Sequence, residues 1–397
     1  MVAIGGNLIP PAPPPIGGPP PAGPGGPPPP PPLLGDLGCE IIKVESPLLE
    51  RGAGRGPRRS GYGGRTNALN RNKRSLTLNI DTEPGRQIFL RLVSEADVLI
   101  DNFRPATRLR LGLSYETLSR ENPRLVHCSV SGFGQTGPYK DRPGFDTLAQ
   151  ALSGILSLVT DLDSPEVVGV SIVDHSTGIF AAYAVLAALM ARERTGRGQF
   201  VDVSLLRSSL SFVESHIVDA INDGPPPVRD NFARGRIFCF VAKDGLPIAI
   251  HLSGHEKSWQ GLVKSVDRED LLPELGDRKA RWERHWEIQG ILQQEIAKQP
   301  RSHWLPILEE NGVPNAPAYT PDEVFADPHV AAMGIPVTVS HPTEGDSRIV
   351  GSPVQLSDTP TAVHRPAPLT GEHTSEILAT LGYGPDDIEE LRAQHVI

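Results

Sequence analysis

One carboxylate in this chain stands directly before a long apolar run. Asp174 precedes the stretch 175–194, where apolar residues recur at three- and four-residue spacing, and this spacing predicts a helix. Arginines in its last turn and Gly196 just beyond are typical of a helix end. Asp174 is therefore expected at the N-cap, where backbone N–H groups and the helix dipole favour an ionised carboxylate.

The residues around Asp174 leave two interpretations open. An ionised and sterically accessible carboxylate can act as a nucleophile toward an activated acyl group. Gly178, one turn into the helix, leaves room for a bulky group to approach the backbone. Aspartate is also a common N-cap for purely structural reasons. The local pattern alone does not decide between catalysis and capping.

The elements that must position Asp174 alternate between strands and helices. Short β-branched runs bounded by turn residues predict strands, within residues 39–45, 75–80, 97–103, 124–133 and 200–206. Helical periodicity lies between them, with Glu83 and Pro84 opening one such segment. Strands separated by helices predict an α/β fold with a mostly parallel sheet and crossover helices.

Changes in composition divide the chain into four segments. We predict a proline-rich segment over 1–32, a large α/β domain over 33–223, a small α+β domain over 224–331 and a C-terminal return to the large domain over 332–397. The small domain opens with two apolar runs around Asp244 and Gly245, which predict a hairpin.

The global composition excludes several classes of protein. The chain has 397 residues and a net charge of −9, and nucleic-acid or membrane-surface binders usually carry a basic excess. Its three scattered cysteines and dispersed histidines have no metal-ligand spacing. We therefore expect no metal, reduced thiols and a cytoplasmic location. Neither an uninterrupted apolar span nor a secretion signal is expected.

Residues 1–32 contain 15 of the 41 prolines. Such a stretch is not expected to join a sheet or form a helix, so it reads as a flexible or polyproline tail. A ligand for a proline-reading domain is a second interpretation. A third is that these letters are wrongly assigned and replace a different sequence.

Several phrases together resemble the class III CoA-transferase family. They run in the family's order from about Leu33 to the C-terminus and include "LLGDLGCEIIKVE", "NRNKRSLTLNI", "DVLIDNFRPATRLRLGL", "VDHSTGIFAAYAVLAAL" and "RTGRGQFVDVSLL". The resemblance implies a large α/β domain with a smaller one, in an interlocked homodimer. It also implies transfer of CoA from an acyl-CoA to a carboxylic acid acceptor, with CoA thioesters as substrates and no tightly bound cofactor.

By the same resemblance, Asp174 is the nucleophile. It would form a mixed anhydride with the acyl group and then an aspartyl-CoA thioester. Residues implied to contact CoA are Leu78, Asn79, Asn102, Phe103, Arg104 and Arg110. Basic residues also form two local clusters, which are Arg71, Lys73 and Arg74 and then Arg104, Arg108 and Arg110. Arginine suits phosphate recognition through its forked donors, although a solvated basic face is the alternative for these basic clusters. The family's N-terminal CoA-contacting loop has proline-rich sequence in its place here.

Two other functions stay open from the sequence. The family includes 2-methylacyl-CoA racemases, which pair the aspartate with a histidine as a second base, since one carboxylate does not readily exchange a proton on both faces of a carbon. Phe145 stands at that histidine's position, and His175 is adjacent to Asp174. A non-catalytic CoA-ester binding protein is the third possibility.

Overall fold

The computed structural model describes residues 2–5, 17–18, 33–47, 64–166, 169–222, 224, 233–252 and 256–397. The chain divides into two compact units. The larger unit combines Met1–Pro225 with Gly334–Ile397, and the smaller unit is Pro226–Met333.

A seven-stranded sheet forms the centre of the larger unit. Its strands are β1 (Val2–Gly5), β2 (Gly17–Gly18), β3 (Glu40–Glu45), β4 (Lys73–Thr77), β5 (Val98–Asp101), β6 (Val126–Ser131) and β7 (Phe200–Ser204). Their order is β4-β3-β2-β1-β5-β6-β7. The pairs β2–β3, β3–β4, β5–β6 and β6–β7 are parallel, so the prediction of an α/β fold with a mostly parallel sheet is confirmed.

The N-terminal segment departs from its prediction. Val2–Gly5 and Gly17–Gly18 lie in the sheet, and β1 pairs antiparallel with β2, β3 and β5. The prediction that residues 1–32 form no strand is therefore wrong for these positions, which contain no proline and keep their backbone N–H donors. The other residues of the segment lie outside the described part of the chain.

Ten helices connect or follow these strands in the described part of the larger unit before residue 225. They are α1 (Leu33–Asp36), α2 (Gly64–Asn70), α3 (Glu83–Ser94), α4 (Pro105–Arg110), α5 (Tyr115–Glu121), α6 (Asp146–Ser153), α7 (Ile155–Val159), α8 (Ile172–Thr195), α9 (Leu205–Phe212) and α10 (Glu214–Ile221). Helix α3 illustrates the local rules, because Thr82 caps it by accepting from the Gly85 N–H at 3.2 Å and Pro84 occupies its first turn.

Both faces of the sheet are covered, because its strands alternate side chains between two cores. Ile42 and Val44 face one core together with α3, α5 and the C-terminal helices. Ile41 faces the other core, which includes residues of α8. The sheet therefore lies between two helical layers, as in other parallel sheets whose strands are buried on both sides.

The smaller unit builds its core on a three-stranded sheet. Strands β8 (Ile237–Val241), β9 (Pro247–His251) and β10 (Asn315–Pro317) run in the order β10-β9-β8 with antiparallel pairing, which confirms the hairpin predicted around Asp244 and Gly245. The helices are α11 (Glu256–Ser265), α12 (Leu272–Leu275), α13 (Arg278–Glu283), α14 (His285–Ile296), α15 (Arg301–Glu310) and α16 (Pro328–Ala332), with 3-10 turns at Glu269–Leu271 and Val324–Ala326. Trp259 and Phe240 lie in its core.

The C-terminal segment belongs to the larger unit. After a hairpin of β11 (Pro336–His341) and β12 (Gly345–Val350), helices α17 (Thr374–Thr380) and α18 (Pro385–Ala393) contribute Ile377 and Leu391 to the same core as β3 and β4. The backbone N–H of Asn79 donates to the Val396 carbonyl oxygen at 2.7 Å. The last residues of the chain therefore support the loop that follows β4.

Helix α8 is long and apolar enough to cross a membrane by length and composition alone. A core helix of a domain meets the same criterion, and residues such as Ala181 and Val185 of α8 are buried in the core that it shares with β5 and β6.

Candidate active site

Asp174 lies in the first turn of α8, not at its N-cap. The helix begins at Ile172, and Ser171 occupies the N-cap without a side-chain hydrogen bond to the helix. The predicted start is therefore wrong by three residues, because the apolar pair Ile172 and Val173 already belongs to the first turn, with Val173 buried. Asp174 is the third residue of the helix and still lies close to its positive end.

A second carboxylate performs the capping. The backbone N–H of Asp174 donates to Oδ2 of Asp146 at 2.8 Å. Asp146 is the first residue of α6, and its Oδ1 accepts a hydrogen bond from the side-chain amide of Gln150, one turn later. Since Gln150 is buried, this contact fixes the carboxylate that in turn satisfies an N–H of the first turn of α8.

The surroundings of Asp174 make its carboxyl more basic than usual. Burial and then the negative charge of Asp146 raise its pKa, the charges of His175 and Arg65 oppose the rise, and the net value is about 6. The sequence led us to expect that the helix terminus would keep the pKa of this carboxyl low. The structure shows the opposite, because the pKa is raised. Oδ1 of Asp174 is buried and has no hydrogen-bond partner within the described ranges.

This arrangement suits a carboxylate nucleophile. With a pKa of about 6, Asp174 is mostly ionised at neutral pH, and its higher basicity increases its nucleophilicity relative to an ordinary carboxylate. An oxygen without a hydrogen-bond donor also carries less stabilisation of its charge in the resting state. Within the described part of the chain, no hydrogen bond at Oδ1 lowers the basicity of the resting carboxylate.

The residues that bear on racemisation are placed differently. Phe145 is exposed at the N-cap of α6, where its ring carries no titratable group. The Nδ1–H of His175 donates to the Ser171 carbonyl oxygen at 2.7 Å, because a carbonyl only accepts. His175 therefore uses one ring nitrogen to bind the preceding turn.

The residues implied to contact CoA follow two strands that are not adjacent, because β3, β2 and β1 lie between β4 and β5 in the sheet. Leu78 and Phe103 are buried in the same core, and their backbone N–H groups donate to Glu45 and Asp101. Asn102 is buried beside Phe103. Asn79 is half-buried, and its Oδ1 accepts from the Asp81 N–H at 3.2 Å. Carboxyl ends of parallel strands are the common location of ligand sites in such sheets.

The structure separates the arginines and lysine of the basic clusters into engaged and available groups. Arg71 pairs with Asp36 at 2.6 Å, and Arg74 pairs with Glu40 and Glu376. Arg108 is buried in a polar network. Lys73 is buried as well, and burial and then the charge of Lys43 lower its pKa to about 7. Arg110 forms an exposed pair with Asp81 at 2.7 Å, and such a pair is weak enough to exchange for a phosphate. Arg104 is exposed and has no ion-pair partner among the described residues.

No metal centre competes for these groups in the described ranges, where no cluster of three or more potential ligands occurs. The cysteines are unpaired and two of them are poor nucleophiles. Burial and then the charge of Asp97 raise the pKa of the Cys39 thiol to about 11, and burial raises that of Cys128 as well. Cys239 is exposed.

The structure therefore forms two groups from the residues named in the sequence. Leu78 and Asn79 follow β4, Asn102 and Phe103 follow β5, and Leu78 and Phe103 contribute to one core. Asp174 lies at the start of α8 beside Asp146. Sequence reasoning missed Asp146 and Arg65. An acidic residue in a first helical turn was the available signal for Asp146, whereas Arg65 reaches Asp174 only through the tertiary fold.

The fold agrees with comparison to known proteins. Residues 28–374 match the family described as CoA-transferase family III. The chain belongs to this family and is a class III CoA-transferase.

Particular relatives are similar over most of their length. The succinyl-CoA:mesaconate CoA-transferase of Haloarcula marismortui is 35% identical over 371 residues, which cover 88% of this chain and 91% of that protein. The human succinyl-CoA:glutarate CoA-transferase is 32% identical over 381 residues, covering 92% and 85%. The crystal structure of a CaiB/BaiF family protein from Brucella suis superposes with a TM-score of 0.80 at 30% identity, covering 92% of this chain and 98% of that one.

Proposed function

We propose that this enzyme transfers CoA from an acyl-CoA thioester to an acceptor carboxylic acid through covalent intermediates on Asp174. The observation that carries the proposal is the half-buried carboxylate of Asp174, with its pKa of about 6 and an Oδ1 that has no hydrogen-bond partner in the described part of the chain. Membership of the CoA-transferase family supports the same reaction.

The first half of the proposed reaction exchanges the acyl group and then CoA. A carboxylate oxygen of Asp174 attacks the thioester carbonyl carbon, the C–S bond breaks, and CoA leaves as thiolate, forming a mixed anhydride. The thiolate then attacks the Asp174 carbonyl carbon and the C–O bond of the anhydride breaks. The donor acid leaves as its carboxylate, and Asp174 holds CoA as a thioester.

The second half repeats these steps in reverse order with the acceptor. The acceptor carboxylate attacks the Asp174 carbonyl carbon and displaces CoA thiolate, which forms a second anhydride. The thiolate then attacks the acceptor's carbonyl carbon and releases Asp174 as a free carboxylate. No net proton is consumed, so a general base is not needed. The residues near the nucleophile agree with this. Phe145 has no titratable group, and Nδ1 of His175 is bound to the Ser171 carbonyl oxygen.

We propose a dicarboxylic acid as the acceptor. The named relatives act on mesaconate and glutarate with succinyl-CoA, and a dicarboxylate keeps one free carboxylate after its other end has reacted. Arg65, the second residue of α2, is exposed, has no ion-pair or hydrogen-bond partner among the described residues, and acts electrostatically on Asp174. A guanidinium suits a carboxylate through its forked donors.

Replacement of Arg65 by glutamine should raise KM for a dicarboxylate acceptor such as glutarate about tenfold, because a charge-assisted hydrogen bond contributes roughly 1.5–3 kcal/mol. KM for a monocarboxylate of similar length should stay unchanged. Arg86→Gln, which removes an exposed arginine paired with Glu83 on α3, serves as the control. Equal changes for both acceptors, or none, would remove Arg65 from the acceptor site.

Trapping with hydroxylamine tests the covalent step directly. The enzyme is incubated with a panel of acyl-CoAs including succinyl-CoA, quenched with hydroxylamine and digested. Peptide mass spectrometry should find a hydroxamate on Asp174, since hydroxylamine cleaves activated aspartyl acyl groups. The same protocol without acyl-CoA is the control.

The two other functions predict different results in that experiment. Exchange of an α-hydrogen for deuterium from heavy water, without CoA transfer and without a hydroxamate, would indicate a racemase. Tight acyl-CoA binding with neither exchange nor transfer would indicate a CoA-ester binding protein. Either result would overturn the transferase mechanism on Asp174.

We propose that the enzyme is a homodimer that acts in the cytoplasm. Helix α8 presents an apolar stripe at Ile179, Tyr183 and Met190, which are 56%, 69% and 70% exposed in the single chain, and burying such a stripe against a second copy would be favourable. Light scattering coupled to size-exclusion chromatography should give twice the chain mass. A mass of one chain at micromolar concentration would contradict the proposal.

A further inference from the structure

A buried polar network lies where the carboxyl end of β5 pairs with residues 127–129 of β6. At its centre is Asp101, the last residue of β5, which is 1% exposed. Its Oδ2 contacts Nε2 of His127 at 2.6 Å and lies 3.6 Å from Nη1 of Arg108. Its Oδ1 accepts from the Ser129 hydroxyl at 3.2 Å and from the Phe103 backbone N–H at 2.9 Å.

Asp101 is held ionised in this network. Burial by itself would raise the pKa of its carboxyl, but the hydrogen bond with His127, the charges of His127 and Arg108, and the Phe103 N–H together lower it below its usual value. A buried charge that is paired and fully hydrogen-bonded is a strong geometric constraint on its partners, because losing one partner leaves a costly unpaired group.

Arg108 and Gln135 extend the network to a second loop. The Arg108 guanidinium donates to the Ser129 hydroxyl and to Oε1 of Gln135, and lies 5.3 Å from the ring centre of Phe200. The side-chain amide of Gln135 donates to Ser129 at 3.2 Å. The network therefore joins the turn after β5, which contains Phe103, to the loop after β6, which contains Gln135.

The loop after β6 also contacts the segment that leads to Asp146. Gly132 and Gly144 pack backbone to backbone, and a Cβ built on Gly132 would lie 2.4 Å from the Cα of Gly144. Two residues after Gly144 comes Asp146, whose Oδ2 accepts the Asp174 N–H. The network thus contacts the turn 102–104 through Asp101. The loop after β6, which contains Gln135 of the network, packs against Gly144, two residues before Asp146.

We propose that Asp101, His127 and Arg108 are positioning residues that hold the turn 102–104 in the conformation that binds the nucleotide end of CoA. The inference rests on the proposed function and on the family resemblance, which implies that Asn102, Phe103 and Arg104 contact CoA. The Asp101 hydrogen bond to the Phe103 N–H fixes the backbone there. It leaves the neighbouring Arg104 exposed and, among the described residues, without an ion-pair partner, and therefore available to a phosphate.

The proposal assigns Arg108 a role different from that of a phosphate ligand. Arg108 is buried, and its donors are used by Ser129, Gln135 and Asp101. Substitution of Arg108 should therefore weaken CoA binding by changing the conformation of the turn 102–104. Direct contact between Arg108 and CoA is not part of the proposal. Arg104, one helical turn earlier, is the residue expected to meet the phosphates.

Calorimetric titration of Asp101→Asn tests the proposal with two probes, CoA and pantetheine, which lacks the nucleotide. We expect CoA to bind about tenfold more weakly than to the unmodified enzyme, with the affinity for pantetheine unchanged. In steady-state assays KM for succinyl-CoA should rise by a similar factor with kcat within threefold. His127→Gln should produce the same pattern, which guards against a folding defect particular to one variant.

Asp97→Asn is the matched control. Asp97 immediately precedes β5, at the opposite end of the strand, and pairs with Arg192 at 2.8 Å, so its loss removes an ion pair from the same strand without touching the turn. Equal binding of CoA by Asp101→Asn and the unmodified enzyme would overturn the inference, as would a parallel loss for pantetheine. Failure of the unmodified enzyme to bind CoA would instead overturn the proposed function.

Discussion

Asp174→Asn is expected to lower CoA transfer by about 10⁴-fold or more, because removal of a covalent nucleophile leaves only binding and electrostatic stabilisation. The amide is isosteric with the carboxylate, so the first turn of α8 should keep its structure and acyl-CoA should still bind. Transfer from succinyl-CoA to glutarate, followed by liquid chromatography of both thioesters, measures the loss. The hydroxamate on residue 174 should disappear with it.

The same variant should be more stable than the unmodified enzyme above pH 6. The carboxyl of Asp174 has its pKa raised to about 6 in the folded protein, so its protonated form contributes stability that is present below pH ~4 and is lost as the pH rises through ~6. Asparagine cannot ionise and avoids that loss. Because the side chain is partly exposed, the gain is on the order of 1 kcal/mol at pH 8.

Thermal unfolding at pH 5 and pH 8 measures this difference. Asp141→Asn, at an exposed aspartate in a turn, is the control and should leave both activity and stability unchanged. An Asp174→Asn variant with transfer activity within tenfold of the original would exclude Asp174 as the nucleophile. A loss of stability at pH 8 would contradict the raised pKa.

Asp146→Ala is expected to lower kcat by about 10- to 100-fold, since it removes the acceptor of the Asp174 N–H and so loosens the turn that holds the nucleophile. An unsatisfied N–H at this position should also cost roughly 1–2 kcal/mol of stability. Asp146→Asn retains an oxygen that can accept the same hydrogen bond, and should lose much less activity at neutral pH.

The pH profile separates the two contributions of Asp146. In the unmodified enzyme, kcat/KM should rise with pH up to about 6, where Asp174 ionises. Burial is the largest cause of the raised pKa of Asp174, and the charge of Asp146 is the second. Asp146→Asn should therefore move this acid limb to lower pH. Initial rates measured between pH 4.5 and 8 give the profiles of the unmodified enzyme and of Asp146→Asn. Identical acid limbs in the two proteins would show that Asp146 does not act on Asp174 through its charge.

The sequence alone determined much of the fold. Strands β3, β5, β6 and β7 each fall within a predicted run, because their β-branched residues are bounded by turns and helices separate them. The resemblance identified the family, which the match over residues 28–374 confirms. Asp174 could be singled out as well, since an acidic residue at the start of a long apolar helix is visible in local sequence.

Only the tertiary structure decided the environment of these residues. Local reasoning predicted a carboxylate whose charge is favoured by the helix terminus, but burial and the proximity of Asp146 raise the pKa of Asp174 to about 6. Asp146 lies 28 residues earlier in the chain, and its contact with Asp174 depends on how α6 packs beside α8. Long-range electrostatics and desolvation follow from packing, and sequence spacing does not contain them.

The basic clusters show the same division. The sequence places arginines at 71, 74, 104, 108 and 110 with no means of ranking them. The fold buries Arg71 and Arg108 among acidic partners and leaves Arg104 exposed. An arginine remains available to a ligand only where no carboxylate lies beside it. Asp36 and Asp101 come from α1 and β5, and only the folded domain brings them next to Arg71 and Arg108.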